Sequence, residues 1–245
     1  MRYLVTLLLV TLPLAAQTVE IEAVAPTTAW SNVPLPERAL GITAHADALW
    51  VVGSGEFIAV SRDGAKTWQT VHRAPDGATL YTLVFLDPQN AVALGEQQAF
   101  LVSHDGGATW RNTHQGPGDP VFQAAFGDPT HVVADSGFNF LVSDDLKKWF
   151  SAGSAQLTQN GSLQRIVAVA ALDAQRFAVL FDKLSRDQAQ YLAYSADGGR
   201  HWGVTAFPHV HLDSLVAWEG AFVVTGVDSN PAPHAIVIRS PDAAT

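Results

Sequence analysis

The chain has 245 residues, of which 48% are hydrophobic and 15% are charged, with a formal net charge of −9 and no cysteine. The absence of cysteine excludes disulfides and thiolate metal sites, and the acidic balance disfavours nucleic acid, whose phosphates an acidic surface repels. The length allows one substantial hydrophobic core, and all-β folds of this size often form a single domain.

The first element in chain order is a short apolar segment. A basic residue precedes an apolar run over 3–16, and small residues stand before Gln17. The run is too short to span a membrane and is typical of a signal peptide. We therefore expect a signal peptide over 1–16, export to the periplasm or out of the cell, and one domain over 17–245. A buried first strand or helix is the alternative, and no other segment predicts a membrane span.

One element then recurs along the chain, Ser-x-Asp-Gly-x-x-x-Trp. The serine numbers of its copies differ by 42, 40, 52 and 45, which is the period of one four-stranded blade of a β-propeller. One copy is shorter and lacks glycine, and the last copy is incomplete. The repeated positions are Ser61, Asp63, Gly64 and Trp68; Ser103, Asp105, Gly106 and Trp110; Ser143, Asp145 and Trp149; Ser195, Asp197, Gly198 and Trp202; and Ser240 and Asp242.

The segments between these copies read as strands, because they are apolar runs rich in Val, Phe and Leu bounded by turn residues. They predict four blades of four strands and a fifth of three. The predicted strands cover residues 41–46, 49–53, 57–61 and 67–72; 80–86, 91–95, 100–103 and 109–114; 121–126, 131–134, 138–143 and 148–151; 166–171, 177–181, 191–195 and 201–207; and 215–218, 222–226 and 235–240.

The fourth strand of the last blade is predicted to come from the N-terminal side of the chain. Residues 28–33 (Thr-Ala-Trp-Ser-Asn-Val) match residues 67–71, the strand that follows the first box. Pairing this segment with the fifth blade would close a five-bladed ring and remove two free sheet edges. In the alternative, Trp30 lies in a linker and the blades form an open arc or part of a larger ring.

The residue types of the repeated element have structural reasons. Glycine permits the positive φ of a hairpin tip, the Asp carboxylate can accept backbone N–H bonds within the turn, and the Trp can wedge between blades. Because the carboxylates occur once per blade, they would lie far apart, so we predict a role in the scaffold and none in catalysis.

The repeated Ser-x-Asp-Gly-x-x-x-Trp element resembles the Asp-box (BNR) family, which includes sialidases, sortilin-type receptors and photosystem II assembly factor propellers. The resemblance covers nearly all of the chain after the signal peptide. It implies an all-β propeller, and we expect an exported, non-catalytic scaffold that binds a protein or glycan partner without a cofactor. The photosystem II group resembles seven-bladed rings with a basic patch, whereas this chain has about five repeats and is acidic, so only the scaffold class is carried over.

A ligand site is expected at the end of the blades opposite the boxes. In a propeller blade the second turn and the links between blades share one end, and the boxes occupy the other. Loops over 151–164, 182–190 and 228–234 differ most in length and are the expected recognition loops. The candidate ligand residues at this end are Arg38, Glu56, Arg73, Tyr81, Glu96, Asp135, Arg165 and Asp187.

Glycoside hydrolysis and metal binding are the two chemical alternatives to partner binding at this end of the blades. One is a sialidase-like glycoside hydrolase, which the family resemblance suggests. The resemblance implies that such an enzyme uses an arginine triad and a Tyr/Glu pair. Arg38, Arg73, Arg165 and Tyr81 have suitable chemistry, but the Phe-Arg-Ile-Pro signature of sialidases is absent. A metal site at His209-Val210-His211 with Asp213 lacks a further ligand, so no metal or cofactor is predicted.

Overall fold

The regular elements of this chain are β-strands. The structure, a computed structural model, describes residues 4–8, 18–22, 33–137, 139–152, 162–184, 189–230 and 232–240. Across these ranges there is no helix long and apolar enough to cross a membrane. The chain divides into two compact units, Met1–Pro34 and Leu35–Thr245. The first unit contains an antiparallel hairpin of β1 (Leu4–Leu8) and β2 (Thr18–Glu22).

The second unit consists of antiparallel sheets in which strands adjacent in sequence pair with each other. Among the described residues, four of its sheets have four strands and one has three. We number these sheets as blades 1 to 5. Their strands are β3 (Ala39–His45), β4 (Ala48–Gly53), β5 (Phe57–Ser61) and β6 (Gln69–His72); β7 (Leu80–Phe85), β8 (Ala91–Gly95), β9 (Phe100–Ser103) and β10 (Arg111–Asn112); β11 (Gln123–Phe126), β12 (Val132–Asp135), β13 (Phe140–Ser143) and β14 (Phe150–Ala152); β15 (Ser162–Ala171), β16 (Phe177–Leu184), β17 (Gln190–Ser195) and β18 (Gly203–Phe207); and β19 (Val210–Trp218), β20 (Ala221–Asp228) and β21 (His234–Ser240).

The all-β fold with four-stranded antiparallel sheets is confirmed, and the predicted strands differ from the observed ones mainly at their ends. Strand β15 begins at Ser162 and β19 at Val210, each several residues before its predicted start. Both strands carry register shifts in these early residues, and a shift disrupts the alternation of polar and apolar residues by which strands are recognised. The segment predicted to complete blade 5, residues 28–33, lies almost wholly outside the described residues, which begin again at Val33.

Successive blades pack face to face through apolar cores. The first strands lie side by side in chain order, with β3 against β7, β7 against β11, β11 against β15 and β15 against β19. One core lies between each pair of neighbouring blades and contains large side chains with almost no exposure, such as Leu80, Leu94, Phe177 and Leu212. Burial of each such side chain stabilises the fold by roughly 1.5–3 kcal/mol, so the blades depend on their neighbours for most of their stability.

Two box tryptophans are buried within these cores. Trp110 belongs to the core between blades 1 and 2, and its Nε1 donates a hydrogen bond to the carbonyl oxygen of Gly107 at 3.0 Å. Trp202 belongs to the core between blades 3 and 4, where its ring meets Phe140 edge to face at a centroid distance of 4.8 Å. Each ring therefore fills an interface between blades while its polar N–H is satisfied within its own turn.

In the boxes of blades 2 and 4, the glycine two residues after the aspartate marks a close approach to the preceding blade. Gly107 has a φ of +86°, and a Cβ atom on it would lie 2.4 Å from Cη2 of Trp50 in blade 1. Gly64, in the first box, has a similar φ of +73° but no atom within 4 Å of the equivalent Cβ position. The two glycines thus share a backbone requirement and differ in packing.

We therefore expect Gly107→Ala to destabilise the protein much more than Gly64→Ala. The left-handed backbone costs an alanine about 1–2 kcal/mol at either position, and overpacking against Trp50 adds roughly 1–3 kcal/mol at Gly107 alone. Urea denaturation of both variants measures the difference. Equal losses of unfolding free energy would show that the box of blade 2 does not depend on its contact with blade 1.

Candidate ligand surface at the loop end of the blades

The box turns are held by a repeated set of side-chain hydrogen bonds. In blade 2 the buried hydroxyl of Ser103 donates to Asp105 Oδ1 at 2.8 Å and accepts from the N–H of Gly107 at 2.9 Å. The same carboxylate accepts from the backbone N–H of Thr109 at 2.9 Å and from its hydroxyl at 2.5 Å. The box thus closes a turn of seven residues by satisfying its own backbone donors.

The boxes of blades 1 and 4 repeat this arrangement. Ser61 donates to Asp63 at 2.8 Å, and Ser195 donates to Asp197 at 2.9 Å. The glycine-free box of blade 3 keeps the bonds, since Asp145 accepts from the N–H groups of Lys147 and Lys148 at 2.8 and 2.7 Å. In the fifth copy Ser240 is buried, whereas Asp242 lies outside the described residues.

These hydrogen bonds stabilise the charged form of the box carboxylates. The hydroxyl and backbone N–H of Thr109, with the Ser103 hydroxyl, lower the pKa of Asp105 to about 2, and Thr67 acts likewise to lower the pKa of Asp63 to about 2. A general acid or base needs a pKa near the working pH. The described box carboxylates are therefore suited to holding turns.

A second aspartate turn shares this end of the blades and was missed in the sequence. Asp87, Asp128 and Asp173 each follow the first strand of a blade, and each accepts hydrogen bonds from the N–H groups two and three residues later at 2.7–2.9 Å. Although burial raises the pKa of Asp128, the bonds from Thr130 and His131 outweigh it and bring the pKa to about 2. The signal was an Asp-Pro or Asp-Ala pair just after the first strand of blades 2, 3 and 4.

The opposite end, which we call the loop end, gathers the second turns of the blades and the links between them. The N–H of Glu96 donates to the carbonyl of Thr79 at 2.9 Å, and the N–H of Val121 donates to the carbonyl of Gly95 at 3.1 Å. A second turn is thereby joined to the link on either side of it. The loop end has a fixed backbone, on which side chains are held in defined positions.

A β-bulge near the start of the first strand recurs at the loop end. The ladder between first and second strands skips Leu40 in blade 1, Tyr81 in blade 2, Val167 in blade 4 and Asp213 in blade 5. Phe122 stands at the corresponding position of blade 3, immediately before the ladder begins at Gln123. A bulge re-aims the side chain that it leaves unpaired. We call these positions the bulge row, which consists of Leu40, Tyr81, Phe122, Val167 and Asp213.

Glycines fix the backbone around three of these bulges. A Cβ atom on Gly53, Gly95 or Gly226 would lie 1.8, 1.9 or 2.1 Å from a carbonyl oxygen of the first strand or its preceding link. In each case that carbonyl belongs to the residue two positions before the bulged one, namely Arg38, Thr79 and His211. A larger residue on the second strand would therefore displace the bulge.

The centre of the bulge row is an aromatic pair. The rings of Tyr81 and Phe122 are 4.8 Å apart and tilted by 46°, and Phe122 is 39% exposed. The Tyr81 hydroxyl donates a hydrogen bond to Glu96, and this bond, with burial and the carboxylate charge, raises the tyrosine pKa, while the charge of Arg38 opposes the rise. Three predicted ligand residues, Arg38, Tyr81 and Glu96, are thus brought together.

Two further predicted arginines at the loop end are paired with carboxylates of the chain. Arg73 forms an ion pair with Glu37, and Arg165 lies 3.2 Å from Asp182. Asp187, also predicted for this surface, lies outside the described residues, as do most of the expected recognition loops over 151–164 and 182–190.

Two other predicted ligand residues lie within the fold. Glu56 is buried, and its carboxylate accepts from Asn112 of blade 2 at 2.7 Å and pairs with His72 at 3.2 Å. It therefore links blades 1 and 2. Asp135 is also buried and accepts from the N–H of Gly137 at 2.6 Å, and burial raises its pKa. Neither carboxylate is presented at the surface to a large ligand.

Possible metal ligands are a further feature of the loop end. In the described part of the chain, no three His, Asp or Glu side chains come together as a group that could hold a metal ion. Of His209, His211 and Asp213, the possible ligands noted in the sequence, His211 Nε2 lies 3.3 Å from Asp213 Oδ1 in an exposed pair. The described side chains of the bulge row are mostly aromatic or apolar, and charged groups lie beside them.

Comparison with known proteins identifies the family. The model of the photosynthesis system II assembly factor YCF48 family matches residues 23–201, more than half of the chain. The chain belongs to this family. Of the groups that the Asp-box resemblance allowed, the photosystem II assembly factors are the one to which it is assigned, and the β-propeller fold follows.

Solved structures of low sequence identity share the fold of this YCF48-family chain. A structure described as YCF48 bound to D1 peptide has a TM-score of 0.59 at 15% identity and covers 94% of this chain and 74% of the other. YCF48 from Cyanidioschyzon merolae gives 0.54 at 16%, with coverage of 90% and 72%. A GH74 xyloglucanase from Xanthomonas campestris gives 0.53 at 17%, covering 74% and 35%. Comparison with curated proteins gave no match.

The lowered aspartate pKa values predict how stability depends on pH. A carboxylate whose folded pKa is about 2 and whose ordinary value is 3.8 contributes stability above pH 4, which is lost as the pH falls towards 2. We expect Asp105→Asn to lower the melting temperature at pH 6, and the deficit to shrink between pH 4 and pH 2.5. Calorimetry of both proteins across this range measures it.

Asp144→Asn is the control for that experiment, because Asp144 is an exposed carboxylate on the same end of the blades, 3.9 Å from Arg200. Its melting temperature should follow the parent's closely at every pH. A deficit for Asp105→Asn that stays constant from pH 6 to pH 2.5 would contradict the role given to the ionised carboxylate.

Proposed function

We propose that this protein is a non-catalytic scaffold that binds a segment of another protein at the loop end of its blades. The observation that carries the proposal is the bulge row, in which Tyr81 and Phe122 form an accessible aromatic pair on a fixed backbone. Aromatic side chains supply large contact area at low entropic cost and are enriched at binding surfaces.

The family supports a peptide as the ligand. A protein of the same family is described as bound to D1 peptide. The description of the family is that of a photosynthesis system II assembly factor. We infer that this chain likewise takes a segment of a protein partner during assembly of a complex. A glycan is the alternative ligand, which the binding experiment below would reveal.

The polar groups of the loop end support binding in preference to glycoside hydrolysis. Of the arginines that a sialidase-like site would use, Arg73 and Arg165 face carboxylates of the chain itself. Tyr81 donates to Glu96 and so has the Tyr/Glu pairing of such a site, but two of the three arginines that would hold a substrate carboxylate are already paired within the chain. The same groups serve well as a rigid polar border around an apolar contact.

We also propose that the protein acts after export, in the periplasm or outside the cell, as a single domain over 17–245. The basic residue, apolar run and small residues of its N-terminus support this. Export would place the acidic scaffold in the same compartment as the exposed segments of membrane proteins, which are suitable partners for the loop end.

We further propose that the blades close into a five-bladed ring through residues 28–33. In the described residues blade 5 has three strands, and on its outer face Trp218 and Val237 are 59% and 71% exposed. On the outer face of blade 1, Ile42 is 70% exposed, while Leu35 packs against Val51 and Phe57. The chain thus enters blade 1 across the face that would meet blade 5, which suits a strand just before Leu35.

Deletion of residues 17–35 tests this closure. Loss of the closing strand would expose both outer faces, so we expect the melting temperature to collapse, whereas removal of residues 1–16 alone should leave it nearly unchanged. Circular dichroism melts of the two truncated proteins and the full chain give the comparison. A protein without 17–35 that melts like the parent would refute closure by this segment.

Retention of a partner from envelope extract, with purified residues 17–245 as bait, tests the binding function. We expect a protein partner to be retained by the parent and lost, by about tenfold or more, from Phe122→Ala, since truncation of a central aromatic contact costs 1.4 kcal/mol or more. Phe150→Ala is the control, because Phe150 is 55% exposed on β14. No retained partner, or equal loss from both variants, would count against binding at the bulge row.

A further inference from the structure

The bulge row is apolar along most of its length and acidic at one end. Leu40, Tyr81, Phe122 and Val167 follow one another through blades 1 to 4, and the row ends in blade 5 with Asp213, whose side chain is 57% exposed. A ligand that lies along the row from blade 1 to blade 5 therefore contacts apolar side chains first and the Asp213 carboxylate last.

Two of the described cations of the loop end are already paired within the chain. Arg73 and Arg165 are paired with Glu37 and Asp182, so their charges are offset within the chain. Arg38 precedes Leu40, the first residue of the row, and its charge acts on the Tyr81 phenol.

Blade 5 adds a second carboxylate near this acidic end. Asp228 stands opposite Val210 on the adjacent strand, where it accepts a hydrogen bond from the N–H of Asn230 at 2.8 Å. Asp213 itself forms an exposed pair with His211, whose Nε2 lies 3.3 Å from Asp213 Oδ1. Over residues 210–240, Asp213, Glu219 and Asp228 stand against one arginine, Arg239, so blade 5 has a formal charge of −2 with histidine neutral.

We propose that the bulge row selects a peptide segment in which a large apolar side chain stands close to lysine or arginine. The apolar side chain is seated on Tyr81 and Phe122, and the cation reaches Asp213. This inference rests on the proposed function and names its ligand class. The acidic charge of blade 5 also accelerates encounter with basic segments.

The selectivity differs from that of the basic patch which the resemblance implies for photosystem II assembly propellers and which was not carried over to this acidic chain. The basic groups needed for such a patch are present as Arg38, Arg73 and Arg165, but two of them are neutralised by neighbours. The described surface therefore presents a carboxylate, and no unpaired arginine, at the blade 5 side of the row.

Three synthetic peptides test the proposal. Each has the centre Gly-Leu-Phe-Leu-Gly and a fluorescein label, and two lysines, two glutamates or two serines flank the centre on either side. Fluorescence anisotropy with the protein over 17–245 at low and near-physiological salt gives the affinities. We expect the lysine peptide to bind at least tenfold more tightly than the glutamate peptide at low salt, with the serine peptide between them, and the gap to narrow as salt screens the charges.

A pair of charge-matched variants separates the site from the overall charge. Asp213→Asn and Asp144→Asn each remove one negative charge, but Asp144 lies at the box end, 3.9 Å from Arg200. We expect Asp213→Asn to weaken the lysine peptide by roughly three- to tenfold, in the range of an exposed charge contact, and Asp144→Asn to leave it unchanged. Equal effects of the two variants would overturn the inference.

Phe122→Ala distinguishes failure of this inference from failure of the proposed function. If the three peptides bind equally and Phe122→Ala weakens all of them, peptide binding stands and the charge selectivity is wrong. If Phe122→Ala changes none of the affinities, the bulge row is not the binding surface, and both proposals fail.

Discussion

The fold depends on one short turn in which a serine hydroxyl and an aspartate carboxylate satisfy the backbone donors around them. The hydroxyl of Ser103 lies inside the blade, 2.8 Å from Asp105, and the turn between them and Trp110 adopts left-handed φ values that ordinary residues avoid. Once this turn is closed, the third and fourth strands are in register and the tryptophan is directed between blades. The repeated box therefore fixes both the hairpin and its packing.

This constraint divides the two ends of the molecule by chemistry. At the box end the aspartates are occupied by backbone N–H groups, and the first turns, through Asp87, Asp128 and Asp173, are held in the same way. Carboxylates that stabilise turns in their charged form are poorly placed to exchange partners with a ligand. The loop end, whose backbone is joined by main-chain bonds, keeps aromatic and charged side chains available for contact.

Sequence patterns predicted the scaffold more fully than the ligand surface, for physical reasons. Ser, Asp, Gly and Trp recur at fixed spacing because each turn needs them, so the boxes and most strands could be read directly. The bulges could not, since a one-residue slip depends on the partner strand. Glu56 was expected at a loop tip, but with a φ of +50° its side chain is directed between blades. Tyr81 was identified and Phe122 was missed, because an isolated aromatic residue carries no periodic signal.

The bulges have a consequence for how such a surface can change over evolution. A bulged residue takes no part in the strand ladder, and at Gly53, Gly95 and Gly226 the opposing glycine sets the local backbone whatever side chain the bulge carries. At these three positions the side chain that the bulge carries can therefore vary without changing the local backbone. A family of propellers can thereby change its binding specificity one blade at a time, by substitution at a bulge position, while the backbone framework stays the same.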